Sequence, residues 1–102
     1  MGTRALIKAV GSKVVIFRHW DGYPEAVLPD IEPVIADFIK QRGEGPDMLL
    51  AVLVQHLRNL HEKDTKQVTG YRLFSNTEAK QINDHEYEYI IQTNGKVRVK
   101  HG

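Results

Sequence analysis

The chain contains no cysteine. It therefore has no disulfide framework and no thiolate metal site, and a cytoplasmic protein without a cofactor is expected. Its longest apolar run, residues 48–54, is far short of the roughly 20 residues that span a bilayer, so no membrane partner is expected. The apolar stretch 5–10 is too short for a signal peptide and is broken by Lys8. No Gly-x-Ser-x-Gly nucleophile elbow is present. Gly43-Glu44-Gly45-Pro46 reads as a helix–helix turn rather than a phosphate loop. His56 and His61 stand about 140° apart around a helix of 3.6 residues per turn, so they cannot share a metal as a His-Glu-x-x-His pair would. Internal repeats and low-complexity tracts are also missing.

What is present fits one domain over residues 1–102, long enough to bury about two-thirds of its unfolded surface. The net charge of +1 hides an uneven distribution. Residues 1–20 carry four bases and no acid, residues 21–47 carry seven acids against two bases, and residues 48–102 carry eight bases against six acids. An acidic helical layer and a more basic strand layer follow if the segments fold as their patterns suggest.

Residues 4–10 and 14–20 are rich in Val, Ile and aromatics and are joined by Gly11-Ser12-Lys13, which predicts an antiparallel hairpin. A first helix is predicted from Asp30, since an earlier start would place Pro33 in the helix interior at about 3 kcal/mol. Ile31, Val34, Ile35, Phe38 and Ile39 then form one stripe, and Gly43 ends the helix. A second helix, capped by Asp47, carries Leu49, Leu50, Leu53, Leu57 and Leu60, with Met48, Val52 and Val54 widening its apolar surface. Residues 61–70 read as a polar loop, 71–75 as a strand, and 76–84 as loop-like with room for a helical turn.

Residues 86–92 and 96–101 form a hairpin around Asn94-Gly95. A type I turn with Gly95 in a bulge sets Ile91 opposite Val97, Tyr89 opposite Val99 and Glu88 opposite Lys100, which gathers the apolar residues on one face. A two-residue type I′ turn would mix them with basic residues, so the bulged turn and a positive φ at Gly95 are expected. The order ββααβββ implies an α+β fold in two layers: an antiparallel sheet of about five strands with two helices on one face.

The run Phe17-Arg18-His19-Trp20-Asp21-Gly22-Tyr23-Pro24 holds the only Trp and resembles a motif in a family of small proteins of unassigned function from prophage, bacterial and archaeal genomes. Members are similar in having a hairpin before the motif, a helix after it, a second small-and-apolar helix like residues 48–57, and alternating Tyr residues like Tyr87-Glu88-Tyr89. Where the family more often has a Gly/Ser-rich stretch after the Pro, this chain has Glu25-Ala26-Val27-Leu28. The resemblance implies no activity and no residue roles.

Turn chemistry explains much of the motif: Asp21 as an Asx-turn, Gly22 supplying positive φ, Pro24 stiffening the exit, and Trp20 and Tyr23 as packing anchors. If the helices cover one sheet face, strand parity places Lys8, Arg18, Trp20, Arg72, Phe74, Arg98 and Lys100 on the other. The leading functional reading is a protein-interaction module using that face, with Arg18, Trp20, Tyr23 and Arg72 as contacts and another protein or a second copy of the chain as partner. The alternative is single-stranded nucleic acid on the basic and aromatic face of Lys8, Arg18, Trp20, Arg72, Phe74, Arg98 and Lys100. A hydrolytic enzyme using His19 and Asp21 ranks below both, because no nucleophile stands nearby and no catalytic residue can be named.

Overall fold

The structure, a computed structural model, describes residues 3–41, 43–61, 71–82 and 85–101. Its elements are β1 (Ala5–Ala9), β2 (Val14–Arg18), α1 (Pro24–Lys40), α2 (Pro46–His61), β3 (Tyr71–Ser75), α3 (Asn76–Ala79), β4 (Tyr87–Ile91) and β5 (Val97–His101). The loop expected over 61–70 lies outside the described residues except for the backbone of His61, which ends α2.

The five strands form one sheet in the order β3-β2-β1-β4-β5. The α+β class is as read from the sequence, but the sheet is mixed: β1 pairs with β4 in parallel, and every other pair is antiparallel. The two outer strand groups meet at β1, so β3 and β4 run in the same direction and their connection crosses the sheet. That connection begins with α3, which packs against β3 and β2.

The core lies between the sheet and the helices α1 and α2. Ala5, Ile7 and Ala9 of β1, Ile16 of β2, Tyr71 of β3 and Tyr89 and Ile91 of β4 meet Val27, Ile31, Val34 and Ile35 of α1 and Leu49, Leu50, Leu53 and Leu57 of α2. A smaller cluster on the opposite face joins Leu6, Val15, Phe17 and Ala79, with Phe74 and Ile82 against it. We call these the helical face and the open face.

Helix α1 starts six residues earlier than the sequence suggested and keeps Pro29 and Pro33 inside it. Both prolines are exposed, so the carbonyls of Glu25 and Pro29, which lose their intrahelical donors, fall on the solvent side. The earlier start also seals Val27 into the core beside Ile31, both at 0% exposure. Burial of such a side chain is worth about 1.5–3 kcal/mol, which offsets part of the cost of the interior prolines. The helix closes as expected near Gly43, whose N–H donates to the Phe38 carbonyl at 2.9 Å; a side chain at 43 would run into the Phe38 ring.

Asp47 differs from its expected role as a helix cap. It sits within the first turn of α2, and its carboxylate accepts from the Ser12 hydroxyl at 2.9 Å and the Lys13 N–H at 3.0 Å. It thus ties the β1–β2 turn to the start of α2. The Lys13 and Ser12 hydrogen bonds hold its carboxyl below the ordinary 3.8. The β4–β5 hairpin has the expected bulged turn: Gly95 has φ +87°, and Ile91 faces Val97, Tyr89 faces Val99 and Glu88 faces Lys100. Within 76–82, the expected helical turn is α3, opened by a capping box between Ser75 and Glu78.

Candidate functional site

The motif that opens α1 is built into the frame. Strand β2 ends at Arg18 rather than reaching Trp20. Arg18 lies on the helical face, not the open face, and is only 1% exposed. Its Nε donates to the Trp20 carbonyl at 2.9 Å and its Nη1 to Asp30 Oδ2 at 3.0 Å, while its guanidinium stands 4.9 Å from the Trp20 ring centroid. Trp20 is half-buried against the main core and meets Tyr71 edge-on at 5.7 Å. The placement of Arg18 and Trp20 on the open face is therefore corrected.

The cause is a lost parity signal. Val14 and Ile16 face the helices while Val15 and Phe17 belong to the open-face cluster, so β2 is apolar on both sides and alternation cannot say which is core. The charge of Arg18, which suggested solvent, is instead met by Asp30 from α1.

The other motif residues also serve the turn. Asp21, not Gly22, takes the positive φ, at +49°. Gly22 is required by close approach, because a Cβ there would lie 2.7 Å from the Thr3 carbonyl oxygen and 2.9 Å from Ala5 Cβ. Its N–H donates to Thr3 O at 2.8 Å, and its carbonyl accepts from the buried Tyr89 hydroxyl. Burial pushes the Tyr89 hydroxyl well above its ordinary 10.0, with Tyr87 adding to the effect and Arg18 opposing it. Tyr23 precedes α1 and is exposed; His19 packs edge-on against Phe17 at 4.5 Å.

The remaining predicted residues do reach the open face. Register places Arg72 and Phe74 of β3, Lys8 of β1 and Arg98 and Lys100 of β5 on one surface with Phe17, Glu88 and Ile90. Arg72, Arg98 and Lys100 are exposed and Lys8 is half-buried. Glu88 sits among them: its carboxylate pairs with the Lys8 ammonium and stands 3.9 Å from that of Lys100. Burial works to raise its pKa, but the Lys8 hydrogen bond and the charges of Lys8, Lys100 and His85 prevail, leaving it below the ordinary 4.5. Glu88 is thus already paired with bases of this face.

The crossing connection adds what the sequence did not reveal. Between it and the sheet lies a groove of about 450 Å³, floored by Leu6, Val15 and Ile90 and walled by Ala79 and Ile82. Lys8, Lys80, His85 and Glu88 stand along it. His85 Nδ1 is buried with no hydrogen-bond partner among the described residues. The parallel pairing of Lys8 with Ile90 brings β1 and β4 side by side in this groove, and no local pattern announces a parallel pair. A second hollow, at the corner of α1 and α2, holds about 190 Å³, below the roughly 300 Å³ at which ligand pockets begin.

Among the described residues, no three of His, Cys, Asp and Glu stand close enough to hold a metal ion, and no helix is long and apolar enough to cross a membrane. No family model matches the chain, and no curated protein or solved structure is similar to it.

Proposed function

We propose that this chain is a protein-interaction module whose open sheet face takes an acidic segment of a partner protein that also carries apolar side chains. One observation carries the reading: an apolar-floored groove and a basic rim share a surface, with Glu88 already satisfied by Lys8 and Lys100. Apolar side chains of the partner would fill the groove, while its carboxylates would meet Lys8, Lys80, Arg98 and Lys100. Of the contacts first considered, Arg72 remains on this face and Tyr23 is exposed elsewhere, beside α1. Arg18 and Trp20 leave the contact set. Kinship with the family that the motif resembles, and a cytoplasmic location in keeping with the lack of cysteine, belong to this proposal.

Single-stranded nucleic acid is the second reading, because Lys8, Arg72, Phe74, Arg98 and Lys100 all lie on the open face. Two observations weigh against it. Phe17 is 4% exposed and cannot stack on a base. The Arg72 guanidinium already stands 4.9 Å from the Phe74 ring centroid, on the face a base would use.

Titration with a peptide of alternating Glu and Val, and separately with an oligo-dT strand, tests both. The peptide is expected to bind. Contacts from four bases to phosphates would give the oligonucleotide a salt slope of about −2.8, or roughly 50-fold weaker binding between 50 and 200 mM salt. That slope with oligo-dT would favour nucleic acid, and no peptide binding at about 1 mM would overturn the proposal.

A further inference from the structure

We infer that the outer edge of β5 pairs with a further extended stretch of the same partner, which joins the sheet as a sixth strand beside the stretch that fills the groove. The inference rests on the acidic-partner reading for its chemistry and adds the backbone geometry that holds the segment.

The direction of the β5 backbone follows from its neighbours. The Val10 N–H donates to the Ile91 carbonyl at 2.9 Å, so the main chain of Ile91 turns toward the β1 side. Next to it, the Gln92 N–H donates to the Lys96 carbonyl at 2.8 Å, so Gln92 turns toward β5. Main-chain groups alternate along a strand, and in an antiparallel pair residues either exchange both bonds or neither. Ile90 and Glu88 therefore bond β5 at their partners Arg98 and Lys100. The N–H and C=O groups of Val97, Val99 and His101 point the other way, outward from the sheet. Among the described residues, β5 has no strand beyond it.

The side chains along this edge specify what can join it. Arg98 and Lys100 lie on the open face and are exposed, while Val97 and Val99 lie on the helical face, with Val99 38% exposed. His101 stacks on Tyr87 at 4.5 Å, so the strand is tied to β4 at this end. A joining strand would set alternate side chains beside Arg98 and Lys100, where carboxylates fit, and the others beside Val97 and Val99, where apolar groups fit. A second copy of β5 is a poor occupant: antiparallel pairing about Val99 would set Arg98 beside the copy's Lys100 and repeat the clash by symmetry. Like charges directly opposite destabilise a sheet, and charged edges commonly guard against self-pairing. The edge thus rejects itself and accepts an acidic strand, which is how selective strand addition works.

The test uses the intact protein and three versions of the Glu/Val peptide: unmodified, N-methylated at every Val, and N-methylated at every Glu. In an antiparallel alignment, the peptide's Val residues face Val97 and Val99 and exchange the hydrogen bonds, while its Glu amides face solvent. Methylation at Val is expected to weaken binding at least tenfold, and methylation at Glu to leave it within about twofold. Equal effects of the two methylations would overturn the strand-addition inference. If the unmodified peptide still bound in that case, with binding lost in Lys8→Glu, the open-face reading would survive alone. Absence of binding by the unmodified peptide would end both. Val99→Pro supplies a protein-side check, since it removes an outward N–H and edge strands accept proline. Binding unchanged in a folded Val99→Pro variant would also overturn the inference.

Discussion

Replacing Arg18 with methionine isolates what holds the motif in place. Methionine keeps most of the aliphatic volume and removes the charge and both donors. The Trp20 carbonyl then loses its 2.9 Å bond and Asp30 loses its 3.0 Å ion pair, at a site where the Arg18 side chain is 1% exposed and that of Asp30 is 16% exposed. Removing one partner of a buried pair costs about 3–5 kcal/mol. The partial exposure of Asp30 lets water reach its carboxylate, so about 3 kcal/mol is expected. In a domain of this size each kcal/mol moves Tm by about 4–8 °C, so thermal unfolding followed by circular dichroism should show a fall of about 12–24 °C. Asp30→Asn, which keeps an acceptor, should cost less. The double variant Arg18→Met/Asp30→Leu should recover part of the loss, because a buried pair replaced by apolar groups is often neutral. A Tm for Arg18→Met within about 3 °C of the parent would refute the buried-pair reasoning and return Arg18 to the list of surface contacts.

Gly95→Ala should destabilise the fold by about 1–3 kcal/mol in a denaturant titration, because residue 95 holds φ +87° and an added Cβ would meet Ile39. Tyr89→Phe should cost about 1–2 kcal/mol in the same assay, since it strips the buried Gly22 carbonyl of its hydroxyl donor. Glu88 has a folded-state pKa below its ordinary 4.5, so its contribution is present above that value and is lost as pH falls through the folded pKa. Glu88→Gln should therefore lower Tm near neutral pH and flatten the further fall below about pH 4.5; an acid limb identical to the parent's would contradict the Lys8–Glu88–Lys100 arrangement.

Local chemistry made much of the fold legible. The Gly95 bulge followed from asking which register gathers Tyr89, Ile91, Val97 and Val99 on one face, and the structure has that register. The α2 stripe followed from leucine spacing, and all but Leu60 of its five leucines are buried. What escaped the sequence depends on distant partners. The start of α1 at Pro24 brings Val27 into the core at 0% exposure, a burial that the proline rule alone does not anticipate. Asp47 has the look of a helix cap, yet its hydrogen bonds go to a turn 34 and 35 positions earlier. Arg18 reads as a surface base until Asp30 comes from α1 to meet it. The basic open face was half legible, since Lys8, Arg72, Phe74, Arg98 and Lys100 share it as parity indicated. The groove beside them was not, because it exists only where the β3–β4 connection crosses a parallel strand pair.

The most direct test of the open-face account is residue-resolved. Amide spectra of the isotopically labelled chain, recorded during titration with the Glu/Val peptide, should shift at Lys8, Glu88, Ile90, Arg98, Val99 and Lys100. The amides of Glu32, Asp37, Val52 and Gln55, which lie on exposed surfaces of α1 and α2, should stay still. Shifts concentrated on α1 and α2, with the open face unmoved, would contradict the account.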